Sequence, residues 1–355
     1  MTVEFVVRVP ADTPHWHPVF LAGDGPALGD WSADRVLLDR WDDGTHRASL
    51  DLPAGFRGRF LVTPGRWRGA EGDGRGHERP PRELAVAGPM TVEADVAGWG
   101  RTSVRYHRDF ASRFVQHSRT IAVWLPPGYD LEPARRYPVL YLHDGQNLFD
   151  DATSYSGEWG VDETLNMLAR TRGFEAIVVG IDNGGDKRMN ELNPWPNPRF
   201  GAGEGQAYID FIVDVVKPAI DRAYRTRPER EHTAIGGSSM GGLISDVAIH
   251  RRPDVFSKAA VFSPAYWTAS PQVFDEAATR PLPADARVYL SMGGQEGEEA
   301  LQYVQRMHAV LSASPIARDG LTLRIDPQGI HHESAWRPEF ERAVVWLFQV
   351  PPRMP

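Results

Sequence analysis

The chain has 355 residues, a formal net charge of −8 at pH 7 and no cysteine. A single domain usually holds about 100–200 residues, so this length predicts two domains. The acidic charge argues against a nucleic-acid partner, and the lack of cysteine excludes disulfides, thiolate nucleophiles and thiolate metal sites.

The sequence shows no segment for membrane insertion or export. It lacks an apolar run of the roughly 18 residues that a membrane helix needs, so no membrane partner is expected. The N-terminus MTVEFVVRVP has neither a basic start nor a long apolar stretch, which predicts a cytoplasmic protein. A secreted chain whose signal peptide had been removed would begin in the same way.

Residues 1–98 alternate short β-type segments with clusters of Gly, Pro and Asp. The segments are VEFVVRV, HPVFLAG, HRASLDL, FRGRFLV and MTVEADV. This alternation of short strands and turns predicts a β-sandwich of the immunoglobulin-like type. A change of pattern around Gly98 to Ser103 predicts a linker there.

Residues 103–355 show buried-strand patterns separated by helical periodicity. The predicted strands are RTIAVWL, YPVLYLHDG, FEAIVVGID, HTAIGGSSMG, KAAVFSP, RVYLSMGG and LTLRID. The predicted helices lie near Val161 to Arg170, Ala207 to Tyr224, Gly241 to His250, Glu298 to Leu311 and Pro338 to Phe348. This alternation predicts an α/β domain with a mainly parallel sheet.

The run Gly237-Ser238-Ser239-Met240-Gly241 fits the pattern G-x-S-x-G between a predicted strand and a predicted helix. This is the context of a nucleophile elbow, the strained turn that presents the catalytic serine of an α/β-hydrolase. Small residues are needed around such a turn. We therefore expect Ser239 to be the nucleophile and Ser238 to be a turn residue.

A serine hydroxyl needs a base, and in this fold the base is a histidine near the end of the chain. His331 and His332 both follow the last predicted strand and the turn Pro327–Gly329. A loop cannot easily present two adjacent rings to one serine. We expect His331 to be the base and His332 to be a polar loop residue, with the opposite choice left open.

The third member of a triad should be a carboxylate after the penultimate strand. The loop there holds Glu296, Glu298 and Glu299, of which Glu296 is closest to the end of the strand. The other two suit the first turn of a helix. Glu296 is the predicted acid, and Asp326, next to the histidine loop, is the alternative.

Ester hydrolysis also needs N–H donors for the oxyanion, from the residue after the nucleophile and from the loop after an earlier strand. Met240 supplies the first donor. In His143–Asn147 we expect the N–H of Gln146 to be the second, with Gly145 letting the backbone approach closely. No metal or organic cofactor is expected.

From about Tyr106 to its end, the chain resembles the putative esterase family of α/β-hydrolases, which includes enterochelin, feruloyl and acetylxylan esterases and S-formylglutathione hydrolase. The matching runs are YLHDGQNLFD, VVGIDNGGDKRMNELNPW, GGSSMGGLIS, FSPAYW, GGQE and GIHHESAWRPEF. The resemblance implies the α/β-hydrolase fold, places the base on His331 and places the acid on Glu296. The chain departs from the family at His332, where relatives often carry Asn or Asp.

Five further residues fall in loops at the predicted C-terminal edge of the sheet, where such folds bind ligands. We expect substrate contacts from Arg188, Glu191, Trp159, Trp195 and Trp267. The alternative is that they pack loops, with Arg188 and Glu191 forming an ion pair. Flat aromatic side chains suit sugar rings or aromatic acyl groups.

Residues 19–84 resemble starch- and glycogen-binding carbohydrate modules, through VFLAGDGPALGDW and LDLPAGFRGRFLV. The resemblance places two glucan-stacking tryptophans on Trp31 and Trp67. The Asn-Arg pair usual in these modules is represented only by Glu78 and Arg79. Glucan binding by this region is therefore a hypothesis, and packing is its alternative.

The leading hypothesis is a serine-dependent carboxylic ester hydrolase that acts through an acyl-enzyme on carbohydrate-linked or siderophore-like esters. One alternative is an acyltransferase on the same scaffold, because an alcohol can replace water at the acyl-enzyme. Another is a carbohydrate-binding protein with an inactive hydrolase domain.

Overall fold

A computed structural model describes residues 1–11, 13–15, 17–65, 70–72, 79–99, 104–115, 117–129, 132–316 and 318–352. The chain divides into two compact units, Met1–Thr102 and Ser103–Pro355. Within the described ranges, no helix is long and apolar enough to cross a membrane.

The first unit is rich in β-structure, as predicted. Its strands are β1 Thr2–Arg8, β2 Phe20–Gly23, β3 Val36–Leu37, β4 Asp39–Arg40, β5 His46–Asp51, β6 Arg57–Thr63, β7 Glu71–Gly72, β8 Arg82–Ala85, β9 Met90–Asp95 and β10 Gly98–Trp99. One sheet has the order β4-β5-β1-β9 and another the order β3-β2-β6-β8, while β7 pairs with β10.

The two four-stranded sheets share one apolar core. Along β1, alternate residues Val3, Phe5 and Val7 are fully buried, as expected when successive side chains point to opposite faces of a strand. The rings of Phe5 and Phe60, from different sheets, lie 5.3 Å apart in an edge-to-face contact. This contact joins the sheets through their apolar faces.

The second unit is built on one eight-stranded sheet. Its strands are β11 Val104–Phe110, β12 Arg119–Trp124, β13 Val139–His143, β14 Ile177–Ile181, β15 Thr233–Ser238, β16 Lys258–Phe262, β17 Arg287–Gly293 and β18 Leu321–Asp326. The order is β11-β12-β14-β13-β15-β16-β17-β18. Neighbouring strands from β14 to β18 in this order pair in parallel. Strand β12 pairs antiparallel with both of its neighbours, β11 and β14. Every strand predicted for this region is confirmed.

Apolar side chains cover both faces of the large sheet. In β13, Val139 and Tyr141 join one core cluster, whereas Leu140 and Leu142 join the other. A parallel sheet with helices on both faces needs such continuous apolar strands, because neither face meets water. The carboxyl ends of the parallel strands therefore share one edge, from which the loops of the site begin.

The helices of the second unit are α1 Val161–Arg172, α2 Arg188–Glu191, α3 Gly205–Phe211, α4 Lys217–Ala223, α5 Met240–Arg251, α6 Gln272–Thr279, α7 Glu298–Ser312 and α8 Glu333–Leu347. A π-helical turn, Ile212–Val216, joins α3 to α4. The predicted start of the last helix at Pro338 was wrong, since α8 already begins at Glu333. His332 accounts for this start, because its side chain accepts the N–H of Ser334 and caps the helix.

Candidate active site

Ser239 occupies a strained turn between β15 and α5. Its backbone has φ 57° and ψ −117°, a positive-φ conformation that non-glycine residues rarely adopt. The Ser239 N–H donates to the carbonyl of Phe262 at 3.0 Å, and its carbonyl accepts the N–H of Ala265 at 2.9 Å. These bonds to the neighbouring strand and its loop hold the strained residue in place.

Glycines surround this turn because the backbone leaves no room for side chains. A Cβ on Gly237 would lie 3.1 Å from the backbone of Gly241, and one on Gly242 would lie 2.8 Å from the carbonyl oxygen of Phe262. Both separations are tighter than ordinary carbon contacts. The structure thus confirms the expected need for small residues.

His331 lies beside Glu296, although the two residues are far apart in the sequence. The Nδ1 atom of His331 is 2.6 Å from Oε2 of Glu296, which comes from the loop after β17. The His331 side chain is half exposed, while that of Glu296 is 4% exposed. The imidazole therefore has one edge bound to a buried carboxylate and the other edge available.

Three donors hold the carboxylate of Glu296. Its Oε1 accepts the hydroxyl of Ser263 at 2.6 Å and the N–H of Gly293 at 2.8 Å, in addition to the contact with His331. Burial raises the pKa of Glu296, but these three hydrogen bonds outweigh burial and hold its pKa below the ordinary value of 4.5. Glu296 is therefore ionised at neutral pH.

Sequence reasoning missed two residues that support this pair. The Nε1–H of Trp336 donates to the hydroxyl oxygen of Ser263 at 2.9 Å, which extends the hydrogen-bond chain behind Glu296. The Trp336 ring also packs against His331, with centroids 5.0 Å apart and planes at 87°. The runs FSPAYW and HHESAW contained both residues, but nothing in one sequence linked them to each other.

The competing candidates have other partners. The Nδ1 atom of His332 accepts the N–H of Ser334 at 3.1 Å at the start of α8. The carboxylate of Asp326 accepts the N–H of Gln328 at 3.1 Å within the turn that leads to His331. Both residues serve local backbone structure, as capping and turn residues commonly do.

Ser239 and His331 line the same cavity, which has a volume of about 880 Å³. Its other lining residues lie mainly in the loops after β13 and β14 and at the start of α8. They are Asp144, Gln146, Asn147, Thr153, Ser154, Tyr155, Ser156, Asp182, Asn183, Gly185, Asp186, Arg188, Ser238, Glu333 and Trp336. The cavity thus combines a strained serine, a carboxylate-bound histidine and a polar wall.

The two residues expected to donate N–H groups to the oxyanion lie in different backbone segments. Met240 is the first residue of α5, where N–H groups lack acceptors within the helix. Gln146 lines the cavity in a 3-10 turn, Gly145–Asn147. A Cβ on Gly145 would lie 2.7 Å from the backbone of Gly180 and Ile181, so only glycine allows this turn to pack against β14.

Arg188 lines the cavity and pairs with Asp144, not with Glu191. Its Nε and Nη2 atoms donate to the two carboxylate oxygens of Asp144 at 2.6 and 2.8 Å, a bidentate arrangement. Burial raises the pKa of Asp144, but Arg188 and Asn183 outweigh burial and hold it below its ordinary value. The neighbouring His143 is buried, and burial lowers its pKa to about 4, so its ring is neutral.

The structure corrects the expected substrate contacts of Glu191 and Trp159. Glu191 is buried and forms an ion pair with the equally buried Arg119. Trp159 is 3% exposed and packs its ring on Phe262, with centroids 5.3 Å apart. Both side chains therefore belong to the interior, which leaves them no surface for a substrate.

Trp195 and Trp267 also lie outside the set of residues that line the cavity. Trp195 packs against the core, with the Arg251 guanidinium 5.4 Å from its ring. Trp267 is exposed and contacts Phe200, with centroids 5.9 Å apart. A substrate contact for either residue stays a prediction.

In the first unit, the structure describes only one of the two tryptophans expected to bind glucan. Trp31 is half-buried, and its Nε1–H donates to Asp24 at 2.8 Å. The Arg59 guanidinium lies 5.8 Å from its ring centroid. Trp67 and Glu78 lie outside the described residues. Across the described ranges, no group of three or more His, Asp or Glu side chains is arranged to hold a metal ion.

Comparison with known proteins identifies a family for most of the second unit. The sequence model of the putative esterase family matches residues 112–347. The uncharacterized protein YbbA of Bacillus subtilis is 27% identical over 249 residues, covering 65% of this chain and 93% of YbbA. An endo-1,4-beta-xylanase/feruloyl esterase of Xylanibacter ruminicola is 25% identical over 246 residues, covering 68% of this chain but only 31% of that protein.

Solved esterase structures are similar in fold to this chain. The enterobactin esterase FES from Shigella flexneri, crystallised in the presence of 2,3-di-hydroxy-N-benzoyl-glycine, superposes with a TM-score of 0.55 at 15% identity. The match covers 94% of this chain and 88% of that one. At this sequence identity, the similarity shows a shared fold and nothing about function.

Proposed function

The chain belongs to the putative esterase family and is an ester hydrolase of the α/β-hydrolase type, and from this premise we propose that Ser239, His331 and Glu296 are its catalytic triad. The contact of 2.6 Å between His331 and Glu296, at the edge of the cavity that Ser239 lines, carries this proposal. The alternatives His332 and Asp326 serve local backbone structure instead.

The contact with Glu296 also assigns the proton on the imidazole of His331. An ionised carboxylate can only accept hydrogen bonds, so the proton of the neutral ring lies on Nδ1 and the lone pair lies on Nε2. In the proposed mechanism, Nε2 takes the proton of the Ser239 hydroxyl as its Oγ attacks the ester carbonyl carbon. Glu296 stabilises the resulting imidazolium without accepting the proton.

The tetrahedral intermediate needs donors for its oxyanion. We assign these to the N–H groups of Met240 and Gln146. The N–H of Met240 has no acceptor within its helix and lies at the positive end of the helix dipole. Collapse of the intermediate releases the alcohol, which receives the proton from His331, and water then hydrolyses the acyl-enzyme by the same steps.

We propose carbohydrate-linked or siderophore-like esters as substrates. A feruloyl esterase and siderophore esterases among the sequence relatives support these two groups. The cavity of about 880 Å³ is large enough for a drug-sized ligand and is lined by polar side chains.

The experiment that tests the triad is replacement of the nucleophile. Ser239→Ala should lower hydrolysis of p-nitrophenyl acetate by about four orders of magnitude or more. Circular dichroism should show an intact fold, and a fluorophosphonate probe should label the wild type but not the variant. Equal esterase activity in both proteins, with the fold intact, would falsify the proposal.

For the first unit we propose an immunoglobulin-like sandwich that acts as a carbohydrate-binding module. Its two four-stranded sheets around a shared core support the sandwich. Isothermal titration with β-cyclodextrin and with xylo-oligosaccharides tests binding. Heat that disappears in Trp31→Ala and in Trp67→Ala supports a carbohydrate site, whereas the absence of heat with both sugars rejects it.

A further inference from the structure

The wall of the cavity carries more negative than positive charge. Four carboxylates line it, and the described lining residues include a single Arg or Lys, Arg188. The carboxylates belong to Asp144, Asp182, Asp186 and Glu333. Charged side chains in a concave, partly buried site act strongly on a bound ligand, because little water separates them from it.

The positive charge of Arg188 is already balanced. Its guanidinium makes two hydrogen bonds to Asp144, and the two charges cancel at the distance of a bound ligand. Arg188 therefore does not offer the cavity an uncompensated positive charge. Glu333 accepts the hydroxyl of Ser156 at 2.6 Å and makes no ion pair with an Arg or Lys among the described residues; His332 lies 4.0 Å away, and Arg188 acts on it at longer range.

Asp182 and Asp186 are the other two acids, both in the loop that follows β14. Asp182 is half-buried. The cations that face it are Arg119, which is paired with Glu191, and Arg108. Burial raises the pKa of Asp182 to about 6, which leaves it mostly ionised above neutral pH. Asp186 is exposed and makes no ion pair with the part of the chain that the structure describes.

The remaining wall is polar but uncharged. Side-chain amides and hydroxyls of Asn147, Ser154 and Asn183 line the cavity, together with the ring of Tyr155, which is 93% exposed. Amides and hydroxyls can both donate and accept hydrogen bonds, so they suit a substrate rich in hydroxyl groups. An exposed aromatic ring offers a flat surface for a sugar or an aryl group.

We propose that this cavity selects uncharged esters and rejects esters with a negative charge close to the scissile bond, with Asp182 and Asp186 as the residues that determine this specificity. The inference rests on the proposed function and narrows it. Of the two proposed substrate groups, siderophore-like esters include the iron complexes of catecholates, which carry negative charge. Sugar esters, such as acetylated or feruloylated polysaccharides, are uncharged at the ester group. The charge of the wall therefore favours the sugar esters.

A matched pair of esters tests the charge effect. In p-nitrophenyl hydrogen succinate the acyl chain ends in a carboxylate, and in p-nitrophenyl 4-methylpentanoate an isopropyl group of similar shape replaces it. We expect wild-type kcat/KM, corrected for spontaneous hydrolysis, to be at least about tenfold higher for the neutral ester at low ionic strength. Added salt should reduce this preference, because salt screens charges near the surface.

Variants then assign the effect to residues. Asp182→Asn and Asp186→Asn should each reduce the ratio of neutral to anionic kcat/KM by several-fold, and the double variant should reduce it further. The control is Asp275→Asn, which removes the same charge from an exposed position on α6 outside the cavity lining. The control should keep the wild-type ratio.

The outcomes separate this inference from the proposed function. If hydrolysis of the neutral ester depends on Ser239 but the anionic ester is cleaved equally fast or faster, the charge selection is wrong and the triad stands. If the control changes the ratio as much as the cavity variants, the assignment to Asp182 and Asp186 is wrong. If the wild type cleaves neither ester, or Ser239→Ala cleaves both, the proposed function fails and the inference fails with it.

Discussion

Two regions of the cavity lining are built differently. In the proposed triad, Ser239 is held by hydrogen bonds to a neighbouring strand and its loop, and Glu296 is buried with three donors around it. Much of the remaining wall comes from loops such as residues 153–156, where Tyr155 is almost fully exposed. Groups that perform chemistry need fixed geometry, whereas groups that choose the substrate can change without disturbing the core.

The largest expected difference lies between two adjacent histidines. His331→Ala should lower kcat by about a thousandfold or more, because it removes the proposed base from the cavity. His332→Ala should change kcat by less than about tenfold and cost about 1 kcal/mol of stability, the usual effect of losing a helix cap. Steady-state kinetics and thermal unfolding of both variants check this. The opposite ranking would move the base to His332.

The acid should matter less than the base, since it orients the ring without exchanging a proton. Glu296→Gln should lower kcat by about a hundredfold, because the amide accepts from Nδ1 less strongly and cannot stabilise the imidazolium by charge. Asp326→Asn is the matched control, as it removes one carboxylate from the neighbouring turn. If Glu296→Gln leaves kcat unchanged and Asp326→Asn abolishes activity, Asp326 is the acid of the triad and Glu296 is not.

Ser263 should have a smaller effect through Glu296. Ser263→Ala removes one hydrogen bond to the carboxylate and should lower kcat/KM about tenfold, the equivalent of roughly 1–1.5 kcal/mol.

Because the pKa of Glu296 in the folded protein is depressed, ionised Glu296 stabilises the fold above pH 4.5, and this stability is lost as the pH falls through the folded pKa.

Thermal unfolding between pH 3 and pH 7 tests the link between Ser263 and Glu296. The variant should lose less stability on acidification than the wild type, since the pKa of Glu296 moves back towards 4.5. Equal acid profiles for the two proteins would show that Ser263 does not act on the carboxylate.

The loop wall around Tyr155 should respond most weakly. Tyr155→Ala should raise KM a few-fold and change kcat by less than about threefold, because this exposed residue lines the cavity but is not part of the proposed triad. Measuring the two constants separately with a feruloyl ester and with an acetyl ester checks this. A fall in kcat comparable to that of Glu296→Gln would mean that the wall takes part in the chemistry.

Local patterns predicted the strands β12 to β18 of the second unit but not β11, and they predicted the strained turn at Ser239 and the close backbone approach at Gly145. Each depends on neighbours within a few residues or on the alternation of apolar side chains. Side-chain partners were harder to predict, as Arg188 shows. The sequence leaves open an ion pair between Arg188 and Glu191, but Arg188 binds Asp144 and Glu191 binds Arg119.

By itself, the sequence determined the α/β order of elements, the position of the nucleophile turn and the family, because these follow from periodicity and from short runs of residues. Only the tertiary structure decided that His331 contacts Glu296, that Trp159 is a core residue and that four carboxylates line the cavity. The reason is physical. Parallel strands bring together loops that are far apart in the chain, and burial and pairing depend on which side chains meet there.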